Sequence, residues 1–579
     1  MPGLTRQRVH ERPGFVDLVV ATAIAAAPGL VDAQISVPID QLPRPSDQPL
    51  PLPPPIAPKP QIILPPLPTP EGPALSRGMT VIAKQFRFVG NTVVSDAELQ
   101  EIAKPFLDRP IGNPQLEELR LLVTRRYVEA GYVNSGAVIP DQDVTDGAIT
   151  IRIVEGRLSE IVIGGQNRFA PDYLRDRIAL GAGPPLNVNE LQERMQIMLQ
   201  DPMIERMSAE LAPGVERGDA VLRVDVAEAK RFIGGVTLSN DRSPVVGENQ
   251  AEFFVAARNL LGRGDTFGVR GAFTEGLDDY SGFFSIPLNA RGTLFTLRGT
   301  KTYSHVVEAP LDQLDISSRA SSVDAILSHP IYETVRETLT GSVTLTRRSI
   351  QNYFLGEPSP FIPGVPDGRI TIGAVRIGLE GVARTENQVA SARLLYSHGL
   401  DAFGSTISDS TEIPDSKFNV FLAQAQYIRL VGGRTGQIVV RGDVQLADDP
   451  LLGPERYSLG GMNSVRGYRT DLLVKDSGWF ASIEYRHLIG YLPVRAAPAQ
   501  TEGAVRLAAF YDYGQAWDKY RTPNALKSIW SIGPGLRWEI MPGFNFEFYY
   551  GIALRDVSTP TNTLSDKGVH LRLAFVQPF

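Results

Sequence analysis

The sequence of 579 residues has no cysteine, few histidines and no excess of positive charge. Without cysteine there are no disulfides, thiolate metal ligands or cysteine nucleophiles. The six histidines lie far apart in the sequence and never take the HExxH spacing of a zinc hydrolase, so we predict no metal site and no cofactor. A formal net charge of -7 provides no bulk positive field for a nucleic-acid partner. GxSxG and P-loop motifs are missing as well, so we do not expect an enzyme.

Long apolar runs are missing too. No stretch reaches the length of about 18 apolar residues that a membrane-spanning helix needs. Short segments of alternating polar and apolar residues are common instead, as in membrane β-barrels. The chain is too long for one ordinary domain, and with 43% apolar residues it is too apolar to be disordered throughout. We therefore expect several domains.

The first 33 residues have the pattern of a secretory signal peptide. Three arginines precede the apolar run from Leu18 to Ala27, and small residues before Gln34 fit a cleavage site. We predict that residues 1–33 are a signal peptide. The alternative is a poorly ordered amphipathic N-terminus.

Residues 34–78 are rich in proline. Between Pro38 and Pro73 lie 15 of the 45 prolines of the chain, so we expect a linker without helix or sheet pairing. In a polyproline II conformation, at roughly 3.1 Å per residue, this linker could extend about 100 Å and reach into a pore. The alternative is a spacer without a partner.

Two small α/β units follow, at residues 79–156 and 157–230. In the first, Gln85–Val89 alternates like a strand and a capping box at Ser95 begins a helix. The complete pattern predicts the order β-α-α-β-β, and the same order returns about 75 residues later. The sheet edges of such units could be extended by a strand of a client protein, or they could face only solvent or a neighbouring domain.

Residues 231–579 show no helical periodicity and contain sixteen alternating segments, which predict a transmembrane antiparallel β-barrel of sixteen strands. A barrel of this size has a lumen too wide for wall side chains to fill. The long segment at about 447–478, between the eleventh and twelfth strands, is predicted to fold inward as a gate. The segments begin near Phe232, Ala251, Asp265, Tyr280, Gly292, Ser321, Arg336, Arg369, Gln388, Lys417, Gly436, Trp479, Ala504, Ser531, Asn545 and Val569.

The candidate functional residues lie in this segment and in the thirteenth strand. The segment contains the sequence Val465, Arg466, Gly467 and Tyr468, and the alternation of the strand turns Phe510, Asp512 and Gly514 toward the lumen. A loop folded into the barrel could bring Arg466 to Asp512 as a charge-assisted pair, with Gly467 allowing close approach and Tyr468 packing on the wall. Alternatively, Arg466 is a solvated loop arginine and Asp512 is one of many lumen charges.

Two further charged residues point inward on the twelfth strand. The alternation there turns Glu484 and Arg486 toward the lumen. We interpret both as general polarity of the lumen.

The two motifs resemble the VRGY loop motif and the FxDxG strand motif of two-partner secretion transporters, of the hemolysin-activator and filamentous-hemagglutinin type in the BamA-like superfamily. The chain ends in Phe579, which looks like the C-terminal signal of outer-membrane barrels. The resemblance covers nearly the whole chain after the signal. It implies two periplasmic polypeptide-transport-associated (POTRA) domains, at 79–156 and 157–230, and a barrel at 231–579 in the outer membrane of a Gram-negative bacterium.

The resemblance also implies the function and the partners. A large exoprotein, adhesin-like or hemolysin-like, would bind the POTRA domains unfolded and cross the pore to the cell surface, driven by folding outside. Outer-membrane lipid and the barrel-assembly machinery would be the other partners. Relatives often have an N-terminal plug helix, for which residues 34–40 leave little room.

Two alternative functions remain. An outer-membrane protein assembly factor would share the loop motif, although such proteins usually have more POTRA domains. A passive porin-like channel would share the barrel, but it would not need two periplasmic domains and a proline-rich linker.

Overall fold

The computed structural model describes residues 42–48, 50, 56–64, 80–144, 146–165, 168–358, 365, 367–494, 502–520, 527–559 and 561–579. The predicted signal peptide at 1–33 and the stretch 34–40 lie outside the described residues. The chain divides into two compact units: Ala57–Ala229 with Leu261–Arg263 forms one, and the barrel with the segment before Ala57 forms the other. No α-helix in the described ranges is long and apolar enough to cross a membrane.

The first half of the smaller unit has the order β-α-α-β-β around a three-stranded sheet. Strand β3 is parallel to β6, and β5 is antiparallel to it. The first helix begins where the Ser95 hydroxyl accepts a hydrogen bond from the Glu98 backbone N–H at 3.3 Å. The apolar faces of both helices cover the sheet, and Leu119 and Phe86 are fully buried between these layers. The elements are β2 (Val81–Ile82), β3 (Gln85–Val89), α1 (Asp96–Ala103), β4 (Pro110–Ile111), α2 (Asn113–Glu129), β5 (Gly136–Val138) and β6 (Ala148–Val154).

The second half repeats this order with longer strands. The helix beginning at Val188 is capped by the Asn187 side chain, which accepts a hydrogen bond from the Asn189 N–H at 2.9 Å. Leu191 and Met195 on this helix are fully buried, and with the sheet they form a separate core. The elements are β7 (Arg157–Gly164), α3 (Pro171–Ala179), α4 (Val188–Met198), β8 (Ile204–Pro213) and β9 (Asp219–Glu228).

A short strand from the proline-rich stretch joins this second sheet. Strand β1 (Ile62–Ile63) pairs in parallel with Ala209 and Glu210 of β8, so the sheet order is β1-β8-β9-β7. The expectation that this stretch forms no sheet pairing is wrong here, because neither residue of β1 is a proline and both keep their N–H donors. A single 3-10 turn at Pro45–Asp47 is the other regular element of the stretch within the described residues.

Sixteen antiparallel strands close into a barrel, as predicted. The largest difference is at β15, which begins at Ser317 rather than near Ser321, because the residues before Ser321 are small or polar and show no apolar alternation. Strands β27 and β28 together form the fifteenth strand, and β17 (Glu357–Pro358) only extends the end of β16. The barrel strands are β10 (Phe232–Ser239), β11 (Gln250–Arg258), β12 (Thr266–Phe273), β13 (Leu277–Pro287), β14 (Leu294–His305), β15 (Ser317–Glu333), β16 (Glu337–Phe354), β18 (Arg369–Arg384), β19 (Gln388–Leu400), β20 (Asn419–Val431), β21 (Gly436–Ala447), β24 (Ser477–Tyr491), β25 (Ala504–Trp517), β26 (Ser528–Met541), β27 (Phe544–Tyr550), β28 (Ile552–Ala553) and β29 (Val569–Pro578).

The first and last strands join without a gap. Strands β10 and β29 pair over seven residues, from Ile233 opposite Pro578 to Ser239 opposite Arg572. The terminal Phe579 donates its backbone N–H to the Phe232 carbonyl at 2.8 Å, and the two rings stack at 5.9 Å. The C-terminal residue therefore lies at the closing seam of the barrel.

Candidate functional site in the barrel lumen

The connection between β21 and β24, residues 448–476, folds back into the barrel. It contains a hairpin of two short strands, β22 (Tyr457–Leu459) and β23 (Leu473–Lys475). Val465 at its tip is fully buried. We call residues 448–476 the inner loop. Its apolar side chains pack with wall residues in one cluster, which comprises Tyr457, Leu459, Val465, Tyr468, Leu473, Phe480, Ala516 and Ile529.

Arg466 of the inner loop forms a bidentate pair with Asp512 of β25. The Nε and Nη2 groups each donate to an Asp512 oxygen at 2.9 Å, and the Arg466 backbone N–H donates to the same carboxylate at 3.1 Å. The guanidinium lies 3.6 Å from the ring centroid of Phe510 and 4.8 Å from that of Tyr549. Arg466 is 1% exposed, so this charge is entirely removed from solvent. The structure thus brings together Arg466, Asp512 and Phe510.

Glu484 completes this ion cluster, and its interpretation as general lumen polarity is wrong. Its carboxylate accepts hydrogen bonds from Arg466 and Arg486, and from the Tyr549 hydroxyl at 2.9 Å. Alternation could show that Glu484 faces inward, but it could not show the depth at which the inner loop meets β24.

The charges of the cluster balance. Two arginines, Arg466 and Arg486, face two carboxylates, Asp512 and Glu484, and the Ser482 hydroxyl donates to Asp512 at 2.7 Å. Burying one of these charges alone would cost several kcal/mol, whereas a paired and fully hydrogen-bonded set offsets most of that penalty. The cluster can therefore hold the loop on the wall only while all its members are present.

The small residues of the motifs allow close approach between the inner loop and the wall. A Cβ atom on Gly467 would lie 2.6 Å from Cβ of Ser531, and one on Gly514 would lie 2.9 Å from a methyl group of Leu459. The Tyr468 hydroxyl lies 3.1 Å and 3.0 Å from the carbonyl oxygens of Trp530 and Arg555. Gly467 and Tyr468 thus contact the wall on β26 and the connection after β28, and Gly514 of β25 contacts the inner loop.

A second ion cluster holds the beginning of the inner loop on another part of the wall. The Glu455 carboxylate accepts two hydrogen bonds from Arg376 of β18, at 2.7 Å and 2.9 Å. Arg348 of β16 lies 3.4 Å from the same carboxylate and donates to the Pro454 carbonyl at 3.0 Å. Sequence reasoning missed this cluster, although the alternation on β16 and β18 shows both arginines at inward positions.

A third ion cluster holds the tip of the inner loop at Arg469, three residues after Arg466. Arg469 donates to Glu308 at 2.6 Å and pairs with Asp566 at 2.7 Å. Glu308 lies in the connection before β15, and Asp566 lies in the connection before β29. The loop is therefore held at its beginning and at two residues of its tip.

The first described part of the proline-rich linker, residues 42–48, also lies in the lumen. Leu42 is fully buried in a cluster with Ile372 of the wall and Leu452 of the inner loop. Arg44 pairs with Asp471 of the inner loop at 3.5 Å. Gln424 and Arg393 of the wall donate to the backbone carbonyls of this segment at 3.0 Å and 3.1 Å. The described residues 42–48 thus occupy the lumen as a non-helical strap, except for the 3-10 turn.

No group of three or more possible metal ligands is placed to hold an ion in the part of the chain that the structure describes. The site instead consists of buried ion pairs, close backbone contacts and a strap. These features can hold or release a loop, and no side chain among them is arranged as a nucleophile with a base.

These features define the class of protein. A closed barrel of sixteen strands, preceded by α/β units and containing an inner loop paired through Arg466, is typical of outer-membrane transporters of the BamA-like superfamily. The family model "Haemolysin secretion/activation protein ShlB/FhaC/HecB" matches residues 218–538, which is more than half of the chain, and the chain belongs to this family. The model "POTRA domain, ShlB-type" matches residues 81–156.

Curated relatives resemble the chain over most of its length. The outer membrane transporter CdiB of Dickeya dadantii (strain 3937) is 23% identical over 483 residues, covering 80% of this chain and 82% of that protein. The heme/hemopexin transporter protein HuxB of Haemophilus influenzae (strain 86-028NP) is 22% identical over 479 residues, covering 77% of this chain and 78% of HuxB.

Solved structures show the same fold. CdiB from Escherichia coli matches with a TM-score of 0.65 at 21% identity, covering 88% of this chain and 93% of that chain. BamA from Haemophilus ducreyi lacking POTRA domains 1–3 matches with a TM-score of 0.52 at 14% identity, covering 86% of this chain and 100% of that chain. The chain is a two-partner secretion transporter of the outer membrane, with POTRA structure in the periplasm, and the assembly-factor and porin alternatives are not favoured.

Proposed function

We propose that this transporter carries one large exoprotein, adhesin-like or hemolysin-like, unfolded from the periplasm through the barrel lumen to the cell surface. The observation that carries this proposal is the inner loop, held across the lumen by the buried pair of Arg466 and Asp512. A loop held by ion pairs rather than by strand pairing can leave the lumen while the barrel stays closed. The inner loop is therefore the gate, and the strands of the barrel wall do not need to separate for a client to pass.

The domain assignment supports this route. We assign residues 1–33 to the signal peptide, 34–78 to the linker, 79–156 and 157–230 to two POTRA domains, and 231–579 to the barrel. The second POTRA assignment is supported by its order of elements, which is the same as in the first.

The POTRA domains are the receiving site for the client. A strand of the client can extend a sheet edge, and β5 of the first sheet and β7 of the second lie at such edges. The edge at β8 is covered by β1 of the linker.

The strap and the C-terminal residue have separate roles. Residues 42–48 fill part of the lumen beside the inner loop, so both must move before a client passes. Phe579 lies at the closing seam, where the barrel-assembly machinery would release the finished barrel into outer-membrane lipid. Because the chain has no nucleotide-binding motif, we assign the driving force to folding of the client outside the cell.

A comparison of the parent strain with a deletion strain tests the proposal. Culture-medium and outer-membrane proteins of both strains are quantified by mass spectrometry, and the deletion is complemented with the wild type, Asp512→Asn or Asp409→Asn. Asp409 is an exposed carboxylate in the connection after β19 and serves as the matched control. We expect loss of one large exoprotein from the medium on deletion, restored by the wild type and Asp409→Asn but not by Asp512→Asn.

The alternative functions give different results. A broad fall of many outer-membrane barrels would identify an assembly factor. No change in either fraction would identify a passive channel.

A further inference from the structure

Four basic side chains lie on the outer wall of the barrel, on four neighbouring strands. They are Lys301 of β14, Arg319 of β15, Arg347 of β16 and Arg369 of β18, and all four are exposed. Alternation turns them away from the lumen, because the residues beside them in sequence, such as Thr302 on β14, are buried inside. We call these four residues the cationic wall patch.

The register of the strands places the patch in one area. Gln351 of β16 lies opposite Arg319 on one side and opposite Arg369 on the other, so the two arginines share a row two strands apart. Lys301 lies opposite Ser321, two residues from Arg319. With strands about 4.8 Å apart and about 3.4 Å per residue, the four Cα atoms lie roughly 8 to 16 Å from one another. Long side chains at this spacing can reach one anionic headgroup with more than one phosphate.

The patch lies at the cell-surface end of the apolar band. The chain enters the barrel from the periplasm at β10, so β14 and β16 run toward the surface, and β15 and β18 run away from it. Lys301 lies near the end of β14, and Arg319 and Arg369 lie at the beginning of their strands. Arg347 lies deeper, opposite Val323, and on its periplasmic side the outward residues are exposed and apolar, among them Leu297, Val343, Leu345 and Leu379. The patch therefore faces the headgroups of the outer leaflet.

Within the residues that the structure describes, none of the four makes an ion pair. Lys301 lies 5.1 Å from the ring centroid of Tyr303, and Arg319 lies 5.2 Å from that of Tyr353. Arg347 donates to the backbone carbonyl of Phe403 at 3.2 Å. Arg369 donates to the Gln351 side chain at 3.0 Å. The positive charges are thus oriented by neutral groups and keep their capacity to bind an anion.

Four exposed acidic side chains lie near the patch: Asp278 of β13, Asp315 before β15, Glu357 of β17, and Asp367 two residues before Arg369. Asp278 of β13 is exposed and lies opposite Tyr303, two strands from Arg319 in the same row.

The opposite wall has a different surface. On β24, β25 and β26 the rings of Trp479, Tyr513 and Trp530 face outward and stack in sequence, with centroids 5.0 Å and 6.0 Å apart. Alternation places every arginine of these strands at an inward position, and the strands contain no lysine. A general belt of headgroup contacts would surround the barrel, whereas these cations lie on one side only.

We propose that the cationic wall patch is a binding site for the phosphorylated headgroup of an outer-leaflet glycolipid. An arginine guanidinium forms two parallel hydrogen bonds to a phosphate group, and a lysine adds a mobile point charge. Basic clusters beside an apolar surface bind anionic lipid headgroups while the acyl chains lie on the apolar residues. The bound lipid contacts strands β14 to β18 from outside. On their inner face, β16 and β18 carry Arg348 and Arg376, which hold the beginning of the inner loop through Glu455.

Native mass spectrometry of the purified full-length protein with lipid A tests the site. The test variant is Arg319→Gln with Arg347→Gln. The matched control is Arg291→Gln with Arg336→Gln, because these exposed arginines lie at the periplasmic turns of the same region of the barrel. Each variant is titrated with bis-phosphorylated lipid A and with dephosphorylated lipid A, and heat-modifiable gel migration reports that each barrel is folded.

We expect the test variant to bind bis-phosphorylated lipid A at least tenfold more weakly than the wild type. The control variant should remain within twofold of the wild type, and dephosphorylated lipid A should bind all three proteins equally weakly. Equal loss of binding in the test and control variants would overturn the proposal, because it would show attraction to any positive surface. Equal binding of the two lipids by the wild type would overturn it as well.

Discussion

Replacing Asp512 with asparagine tests whether the buried ion cluster holds the inner loop on the wall. The side chain keeps its shape, but its charge is lost and one of its oxygens becomes an amide donor. In the wild type, the Asp512 carboxylate accepts hydrogen bonds from the Arg466 side chain, its backbone N–H and the Ser482 hydroxyl. In the variant, the new NH2 group meets other donors, and Arg466 keeps only Glu484 as an ionic partner.

The free energy lost on replacing Asp512 depends on Glu484, the ionic partner that Arg466 keeps. Removing one member of a buried ion pair costs about 3–5 kcal/mol. Because Glu484 still faces Arg466, we expect the lower end, about 3 kcal/mol. Since about 1.4 kcal/mol corresponds to a factor of ten, the ratio of released to docked loop should rise roughly a hundredfold.

Conductance of the purified transporter in planar lipid bilayers measures this ratio as the fraction of time in a high-conductance state. The control is Glu547→Gln, which removes another buried carboxylate of the lumen, paired with Arg537 and not with the inner loop. We expect a large rise for Asp512→Asn and little change for the control. Equal open fractions for the two folded variants would refute the assignment of Asp512 as the holder of the loop.

A charge exchange between the two residues is a poor substitute for this test. With Arg466→Asp and Asp512→Arg, the new carboxylate at 466 would lie beside Glu484, so like charges would meet in a buried site. We expect the exchange to secrete no better than either single reversal. Adding Glu484→Gln to the exchange should improve secretion.

Four further changes test other parts of the structure. Glu455→Gln should release the beginning of the inner loop and raise conductance, because Arg376 and Arg348 lose their carboxylate. Gly467→Ala should destabilise the docked loop by about 1–3 kcal/mol, measured as faster protease cleavage within the loop, because the added Cβ would overlap Ser531. Arg44→Ala should open a leak through the lumen, and Lys59→Ala in the exposed linker should not. In the first POTRA domain, burial raises the pKa of Glu155, but hydrogen bonds from the Thr92 hydroxyl and backbone N–H outweigh it and hold that pKa below its usual 4.5. The stabilisation is therefore present above pH 4.5 and lost as the pH falls below it, so intrinsic-rate-corrected hydrogen exchange of the Thr92 amide should quicken in acid, and Glu155→Gln should abolish that pH dependence.

Alternation alone was sufficient to predict the barrel, because a strand that separates lipid from lumen must change polarity at every residue. It also identified Asp512 as an inward carboxylate. It could not identify Glu455 or Arg469 as anchors, because their partners lie on strands and connections more than 70 residues away in sequence. Their pairing depends on the path of the inner loop through the lumen.

The structure of the proline-rich region could likewise be predicted only in part from the sequence. Its composition excludes long regular elements, but it does not show where the chain goes. Leu42 lies in the lumen because it finds an apolar cluster there, and Ile62 joins β8 because an open sheet edge lies within reach. Both outcomes depend on distant surfaces that a local pattern does not encode.

The ion clusters of Glu455, Arg466 and Arg469 hold the inner loop on different parts of the wall, with no shared partner. Free energies of separate contacts of this kind are approximately additive, so releasing the whole loop at once costs about the sum of the three. Releasing one cluster costs only its own share and is far more frequent. The loop should therefore leave the wall in steps. Between the closed and the fully open state we expect intermediate states in which the pore is partly open. The extended chain of an unfolded client could enter the pore after the first ion cluster is released. Its presence in the lumen would then favour release of the next cluster.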